Sequence, residues 1–124
     1  MRKIVKVYDA RDPLPPDVAR YISRAHYKDG CIYLDYWDMR ENKRRGSLVL
    51  VCFEDKKPVG WCLYASYYRS AQFWTSQKYR RTGVGTKLYK ELKKRKKRFH
   101  VFMPDEAAEK FFESNGKSVG SYSW

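Results

Sequence analysis

Gln77-Lys78-Tyr79-Arg80-Arg81-Thr82-Gly83-Val84-Gly85-Thr86 sets two glycines two positions apart, behind three cations, where an apolar segment meets an amphipathic one. Upstream, Ala71 to Ser76 reads as a strand. Downstream, Gly83 to Lys97 reads as a helix with Val84, Leu88 and Leu92 in an i, i+4 stripe. Taken alone, the glycines say only that the chain turns tightly. Between a strand and a helix they say more, because the N–H groups of Arg81, Gly83, Val84, Gly85 and Thr86 lack helical partners and bare glycines let an anion come close. The helix dipole contributes roughly 0.3–1 kcal/mol to an anion placed there, and Lys78, Arg80 and Arg81 add charge. The stretch predicts a phosphate-binding turn. It is neither a Walker A loop, which needs Gly-x-x-x-x-Gly-Lys-Ser/Thr, nor a dinucleotide fingerprint, which needs three glycines and a distal acid.

Working outward, Leu48 to Phe53 and Pro58 to Tyr68 are apolar runs separated by Glu54-Asp55-Lys56-Lys57, a hairpin pattern. Both faces of the first run are apolar: Leu48, Leu50 and Cys52 on one, Val49, Val51 and Phe53 on the other. A strand covered on both faces predicts helices above and below the sheet. Ile4, Val5 and Val7 predict a first strand. After Asp12-Pro13-Leu14-Pro15-Pro16, a helix runs from Asp17 with Val18, Tyr21, Ile22 and Ala25 at helical spacing to Asp29-Gly30. Cys31 to Met39 has no clean period. Phe99 to Met103 reads as a strand, Asp105 to Asn115 as a last helix and Ser118 to Trp124 as a short terminal strand.

The 124 residues are 43% hydrophobic and 17% aromatic, enough for one real core and unlike a disordered basic tail. The expectation is a single domain over residues 1–124. No run of 18 apolar residues exists, and the charged start Met-Arg-Lys-Ile-Val-Lys is unlike a signal peptide, so a cytoplasmic, membrane-free protein is expected. Cys31, Cys52 and Cys62, with His26 and His100, lack the spacing of a metal site, and Cys52 and Cys62, in apolar runs, read as core packing in a reducing compartment. The net charge of +13 is concentrated: Lys78 to Arg98 holds eleven cations against Glu91 alone. Such a field attracts a polyanion, whether coenzyme, nucleic acid or acidic protein.

At the glycine turn the residues resemble the GNAT N-acetyltransferase family, whose coenzyme motif is Arg or Gln, two residues, Gly, one residue, Gly or Ala. Arg80 to Gly85 matches it. Gln77-Lys78-Tyr79-Arg80-Arg81 looks like the family's Pro-x-Tyr-Arg-Gly, with Gln for Pro and Arg for Gly. Further on, Asp105 to Gly116 resembles the family's last helix, Asn-x-x-Ala-x-x-Phe-Tyr followed by Gly, with Ala108, Phe111 and Gly116 in register. The resemblance covers residues 48–117, a coenzyme core, and leaves 8–47 as substrate-side helices and loop. It implies an α/β fold with a mixed sheet of about six strands and helices on both faces.

It also implies direct acetyl transfer from acetyl-CoA to a primary amine in a ternary complex. Phe73, Trp74 and Thr75 would then lie along the pantetheine arm, with the Thr75 N–H near the thioester carbonyl as an oxyanion donor. Arg80, Arg81, Thr82, Gly83, Val84, Gly85 and Thr86 would hold the pyrophosphate, and Phe112 would border the coenzyme. Phe112 departs from the family's Tyr, which protonates the leaving thiolate. A base is also needed, since an amine of pKa about 10.4 is almost fully protonated at neutral pH. Residues 71–78 offer no carboxylate. Candidates are Glu54, His100, Asp35, Asp38 and Tyr67, while Tyr36, Trp37 and Asp38 are candidates for holding the acceptor. Lys87, Lys90, Lys94 and Lys97 recur on the outer face of the long helix, where eight residues in twelve from Lys87 to Arg98 are basic. They are candidates for polyanion contact, and part of that charge would meet the coenzyme's 3′-phosphate. The expected acceptor is a macromolecular amine, a protein lysine or an aminoacyl-tRNA. The alternative is a GNAT-fold protein with weak or lost catalysis that binds nucleic acid or an acidic partner through the lysine-rich helix 87–98.

Overall fold

The computed structural model describes residues 2–29 and 45–102. Strand β1 (Lys3–Asp9) leads through the proline break into α1 (Pro16–Asp29). Pro16 occupies the first helical position, where its missing N–H has no intrahelical acceptor to lose, and Asp17 follows in the first turn. β2 (Leu48–Glu54) and β3 (Lys57–Ala65) form an antiparallel hairpin. Its two-residue turn has positive φ at both Asp55 (49°) and Lys56 (72°), the hand that matches strand twist. β4 (Ser70–Thr75) pairs antiparallel with β3. The chain then makes a single 3-10 turn at Gln77–Tyr79 and enters α2 (Val84–Arg95). It returns as β5 (His100–Phe102), parallel to β4.

The sheet order is β1-β2-β3-β4-β5, mixed because only the last pair is parallel. Val49, Val51 and Phe53 of β2 join Trp61, Leu63, Val18, Tyr21 and Ile22 in a core beneath α1. Leu50 and Cys52 join Cys62, Ala71, Val84, Leu88 and Leu92 beneath α2. Two helix layers on one sheet therefore follow from the two apolar faces of Leu48 to Phe53.

Several boundaries differ from the sequence expectation. The second apolar run stops at Ala65, not Tyr68, because Ser66–Arg69 turns, with Arg69 at φ 51°. The lysine-rich helix ends at Arg95 instead of Lys97 or Arg98: Lys96 is already extended (φ −131°, ψ 101°) so that Phe99 and Val101 can reach the α2-side core. Five strands are present among the described residues where about six were expected. The predicted terminal strand at Ser118–Trp124 and the last helix at Asp105–Asn115 lie outside the described residues.

Candidate active site

The glycine turn sits at the carboxyl end of β4, where a crossover to a parallel strand leaves ligands room to bind. Gly83 caps α2 in the left-handed region at φ 92°, and Arg81 is left-handed as well at φ 64°. From Arg81 through Thr86 no backbone N–H reaches a carbonyl acceptor among the described residues. Helical bonding starts at Lys87, whose N–H meets the Gly83 carbonyl at 3.0 Å. A Cβ built on Gly83 or on Gly85 would meet nothing within 4 Å. The turn is thus an open concavity lined by backbone donors at the positive end of a helix. Arg80 Nε donates to the Thr75 carbonyl at 3.1 Å, which ties this guanidinium to the end of β4, while Thr82 Oγ1 donates to the Tyr79 carbonyl and fastens the turn. Lys78 and Arg81 remain exposed beside it.

Gly60 sets how close α2 lies to the sheet. A Cβ there would stand 2.5 Å from Val84 Cγ1, 3.1 Å from the Trp74 carbonyl and 3.4 Å from Leu88 Cδ1. Pairing slips between Cys52 and Phe53, leaving Val59 opposite no residue of β2, so β3 bends where the first turn of α2 rests. The sequence signal for this position was a glycine inside an apolar run, which marks close approach of another backbone or element.

Strand alternation then aims β4. The Ser76 N–H bonds the Val59 carbonyl of β3 at 3.0 Å, so the N–H of Thr75 points the other way, toward the side where β5 pairs higher up. That pairing reaches only Gln72 opposite Phe102 among the described residues. The Thr75 donor has no partner there. On the α1 side, Trp74 stacks on Trp61 (centroids 5.9 Å apart) and meets Tyr21 edge-on at 5.7 Å. Tyr21 hydroxyl and Ser76 Oγ are hydrogen-bonded. Burial pushes the Tyr21 phenol up to about 12, with the Ser76 bond pulling weakly against it, so this hydroxyl holds its proton. The indole N–H groups of Trp61 and Trp74 are buried without an acceptor among the described residues. Sequence reading missed Tyr21, Trp61 and Ser76, since nothing local links residues this far apart.

The other expected residues fall elsewhere. Glu54 ends β2, buried, with its carboxylate 3.3 Å from Lys3 Nζ. His100 opens β5 opposite Ser70, at the far end of β4 from Thr75. Tyr67 lies in the β3–β4 turn at that same far end. Tyr36, Trp37, Asp38, Asp35 and Phe112 lie outside the described residues. Along α2, Lys87 Nζ bonds the Lys3 carbonyl at 2.6 Å and Lys94 pairs with Glu91 at 3.0 Å, while Lys90 and Lys97 are exposed. Cys52 and Cys62 are free, buried thiols whose ionisation burial pushes up, well up for Cys62, so neither is a nucleophile. Among the described residues no helix is long and apolar enough to cross a membrane, and no His/Cys/Asp/Glu group could hold a metal.

A mixed sheet that delivers a strand end to an open, cation-flanked helix N-terminus defines a fold of the α/β class. The acetyltransferase (GNAT) family model matches residues 6–116, and the chain belongs to that family, whose members use acetyl-CoA. No curated protein matches the sequence significantly. Solved structures share the fold at low identity. Ribosomal-protein-alanine N-acetyltransferase from Brucella melitensis is 14% identical with a TM-score of 0.66, over 100% of this chain and 96% of that one. An integron cassette protein from the mobile metagenome of V. cholerae is 21% identical with a TM-score of 0.61, over 97% and 88%. An aminoglycoside acetyltransferase from an uncultured soil metagenomic sample is 16% identical with a TM-score of 0.54, over 92% and 84%.

Proposed function

We propose that the chain transfers an acetyl group from acetyl-CoA to a primary amine on a macromolecule, with the coenzyme pyrophosphate in the Arg80–Thr86 turn. The observation that carries this reading is the open N-terminus of α2, where Gly83 and Gly85 face open space and the N–H groups of 81–86 have no carbonyl acceptor among the described residues. Arg80, held by the Thr75 carbonyl, and exposed Arg81 and Lys78 neutralise the phosphates. The coenzyme supplies an activated thioester. The chain supplies position: the Thr75 N–H faces the side of β4 that is unpaired at this end among the described residues, where it stabilises charge developing on a carbonyl oxygen.

The acceptor approaches the end of β4 from the α1 side, at the half-buried Trp74, which the buried Trp61 and Tyr21 hold in place. Tyr21, kept neutral by burial and anchored to Ser76, orients rather than deprotonates. Glu54 is engaged by Lys3 and His100 sits far along β4, so the proton leaves the amine through another group or through water. A macromolecular acceptor fits a chain of net charge +13, which repels small free cations and is steered toward acidic surfaces. Two proteins of the same fold carry ribosomal-protein-alanine N-acetyltransferase names, one from Brucella and one from Escherichia coli, which is consistent with such an acceptor. The test is an acceptor screen that reads free thiol release from acetyl-CoA and acetylated product by mass spectrometry, using peptides, aminoacyl-tRNA, polyamines and aminoglycosides. Turnover with peptide or aminoacyl-tRNA amines supports the proposal, and turnover confined to the small cations contradicts it.

A further inference from the structure

The end of the sheet remote from the glycine turn gathers cations from three separate segments. Ser66 Oγ donates to the Arg45 carbonyl at 3.0 Å, the Arg69 N–H bonds the Ser66 carbonyl at 3.3 Å, and the His100 N–H bonds the Arg69 carbonyl at 2.7 Å. The Lys96 ammonium lies 5.4 Å from the Tyr64 ring centroid, and the Lys93 ammonium 5.9 Å from that of Phe99. These contacts bring Arg45, Arg69 and the run Lys93 to Arg98 to one end of the molecule. Among the described residues no carboxylate pairs with Arg45, Arg69, Lys96, Lys97 or Arg98, since Glu91 takes Lys94 and Arg95. The helix dipole accounts for cations in the last turn of α2. It does not account for Arg45 and Arg69, which come from loops, or for Lys97 and Arg98, which lie beyond the helix. Gathering them works against mutual repulsion.

From the same end project Tyr67 and Tyr68, 64% and 63% exposed, with ring centroids 4.9 Å apart at 89°. Hairpin turns ordinarily carry Gly, Asn, Asp or Ser, which satisfy turn geometry without exposing apolar surface. Two adjacent tyrosines here gain little burial. Flat aromatic surface set among cations that no described carboxylate neutralises provides both contacts that an unstacked base and its phosphodiester need.

We propose that this end of the sheet binds single-stranded nucleic acid, with bases stacking on Tyr67 and Tyr68 and phosphates held by Arg45, Arg69, Lys97 and Arg98. Charge complementarity selects a polyanion, and the exposed rings select one whose bases are free to stack over a duplex or an acidic peptide. β4 runs from Ser70 at this surface to Thr75 at the coenzyme turn, ~17 Å at the rise of an extended strand. Nucleic acid and coenzyme therefore bind together without overlap, and the inference does not depend on the identity of the acceptor.

The experiment is fluorescence anisotropy with a labelled single-stranded RNA of about 12 nucleotides, a duplex of the same composition and an acidic peptide, across a salt series. The single strand is expected to bind at least ~10-fold tighter than the duplex. Lys97→Glu with Arg98→Glu should weaken it ~10-fold or more and flatten the log-log salt slope by more than ~1, given about 0.7 per phosphate contact on single strands. Tyr67→Ala with Tyr68→Ala should weaken it ~5-fold or more. The same charge change at the opposite end of the sheet, Arg2→Glu with Lys56→Glu, should leave affinity within about twofold. Thermal unfolding verifies that each variant is folded, and acetyl-CoA titration of each separates loss of this surface from loss of the coenzyme site. Absence of binding at low salt, tighter binding to duplex or peptide, or equal losses from the two charge reversals would overturn the proposal, as would indifference to the tyrosine pair.

Discussion

At its N-terminus helix α2 offers an anion its backbone, and at its C-terminus it offers side chains. The first site is short-ranged: N–H groups fixed in direction, two glycines with nothing within 4 Å of their missing Cβ atoms, and one guanidinium tied to Thr75. The second is long-ranged, built of flexible Lys and Arg heads with exposed tyrosines among them. Fixed donors suit a compact group that must be placed to within a fraction of an ångström, as transfer chemistry requires. Mobile, screened charges suit an extended polyanion, whose affinity then falls steeply with salt. On the proposed reading, one helix serves position at one end and capture at the other.

The largest test of that contrast is Gly85→Val. The side chain fills the open concavity, so coenzyme affinity should fall ~100-fold or more, about 2.7 kcal/mol, while calorimetry and anisotropy together show RNA affinity unchanged. Gly83→Val should act alike on the coenzyme and add strain from its positive φ. Next, Gly60→Ala pushes Val84 and Leu88 off the sheet and should destabilise by roughly 1–3 kcal/mol in urea unfolding, weakening the coenzyme site through the displaced first turn. By contrast, Gly85→Ala should raise stability by up to about 1 kcal/mol, since it replaces a helical glycine in open space, and leave coenzyme binding nearly intact, because the family motif takes Gly or Ala at this position. Gly85→Val and Gly85→Ala then separate steric block of the turn from helix propensity at one residue.

A triple reversal, Lys90→Glu with Lys94→Glu and Lys97→Glu, sharpens the comparison from the other end. Coenzyme affinity should change less than about threefold, because these groups lie from roughly one and a half turns (Lys90) to two and a half turns (Lys94) or more beyond the Arg80–Gly85 turn, while RNA affinity should fall. The smallest effect concerns Glu91. Hydrogen bonds from Lys94 first, and from Arg95, hold its carboxyl below the ordinary value. A lowered folded-state pKa means that the pairing stabilises above the ordinary carboxylate range and is lost as pH falls through the lowered value. Glu91→Gln should remove that acid-side dependence, cost a few tenths of a kcal/mol at neutral pH, and slightly tighten RNA by freeing two cations.

How much of this was legible in the sequence varies by element. Leu48 to Phe53, apolar on both faces, already required two helical layers, and the glycine turn between a strand and a helix already marked unpaired N–H groups. These are local patterns with a fixed period. The end of α2 was not legible, because Lys93 to Arg98 keeps helical propensity while the need to bring Phe99 and Val101 into the core ends the helix at Arg95. Gly60 showed only as an interruption of a strand; its reason is Val84, 24 residues on. The Tyr21–Ser76 bond and the meeting of Arg45, Arg69, Lys97 and Arg98 arise from tertiary contacts that no window of sequence contains. The same limit applies to Glu54 and His100, whose chemistry suited a base: Glu54 is paired with Lys3, and His100 stands opposite Ser70 at the far end of β4 from Thr75.

The most direct test of the central claim is a calorimetric titration of acetyl-CoA into the wild-type protein and into Gly85→Val, with urea unfolding of both as control. The account predicts micromolar binding by the wild type and none by the equally stable variant. No binding by the wild type at low salt, or equal dissociation constants for the two, would contradict a coenzyme site at the start of α2.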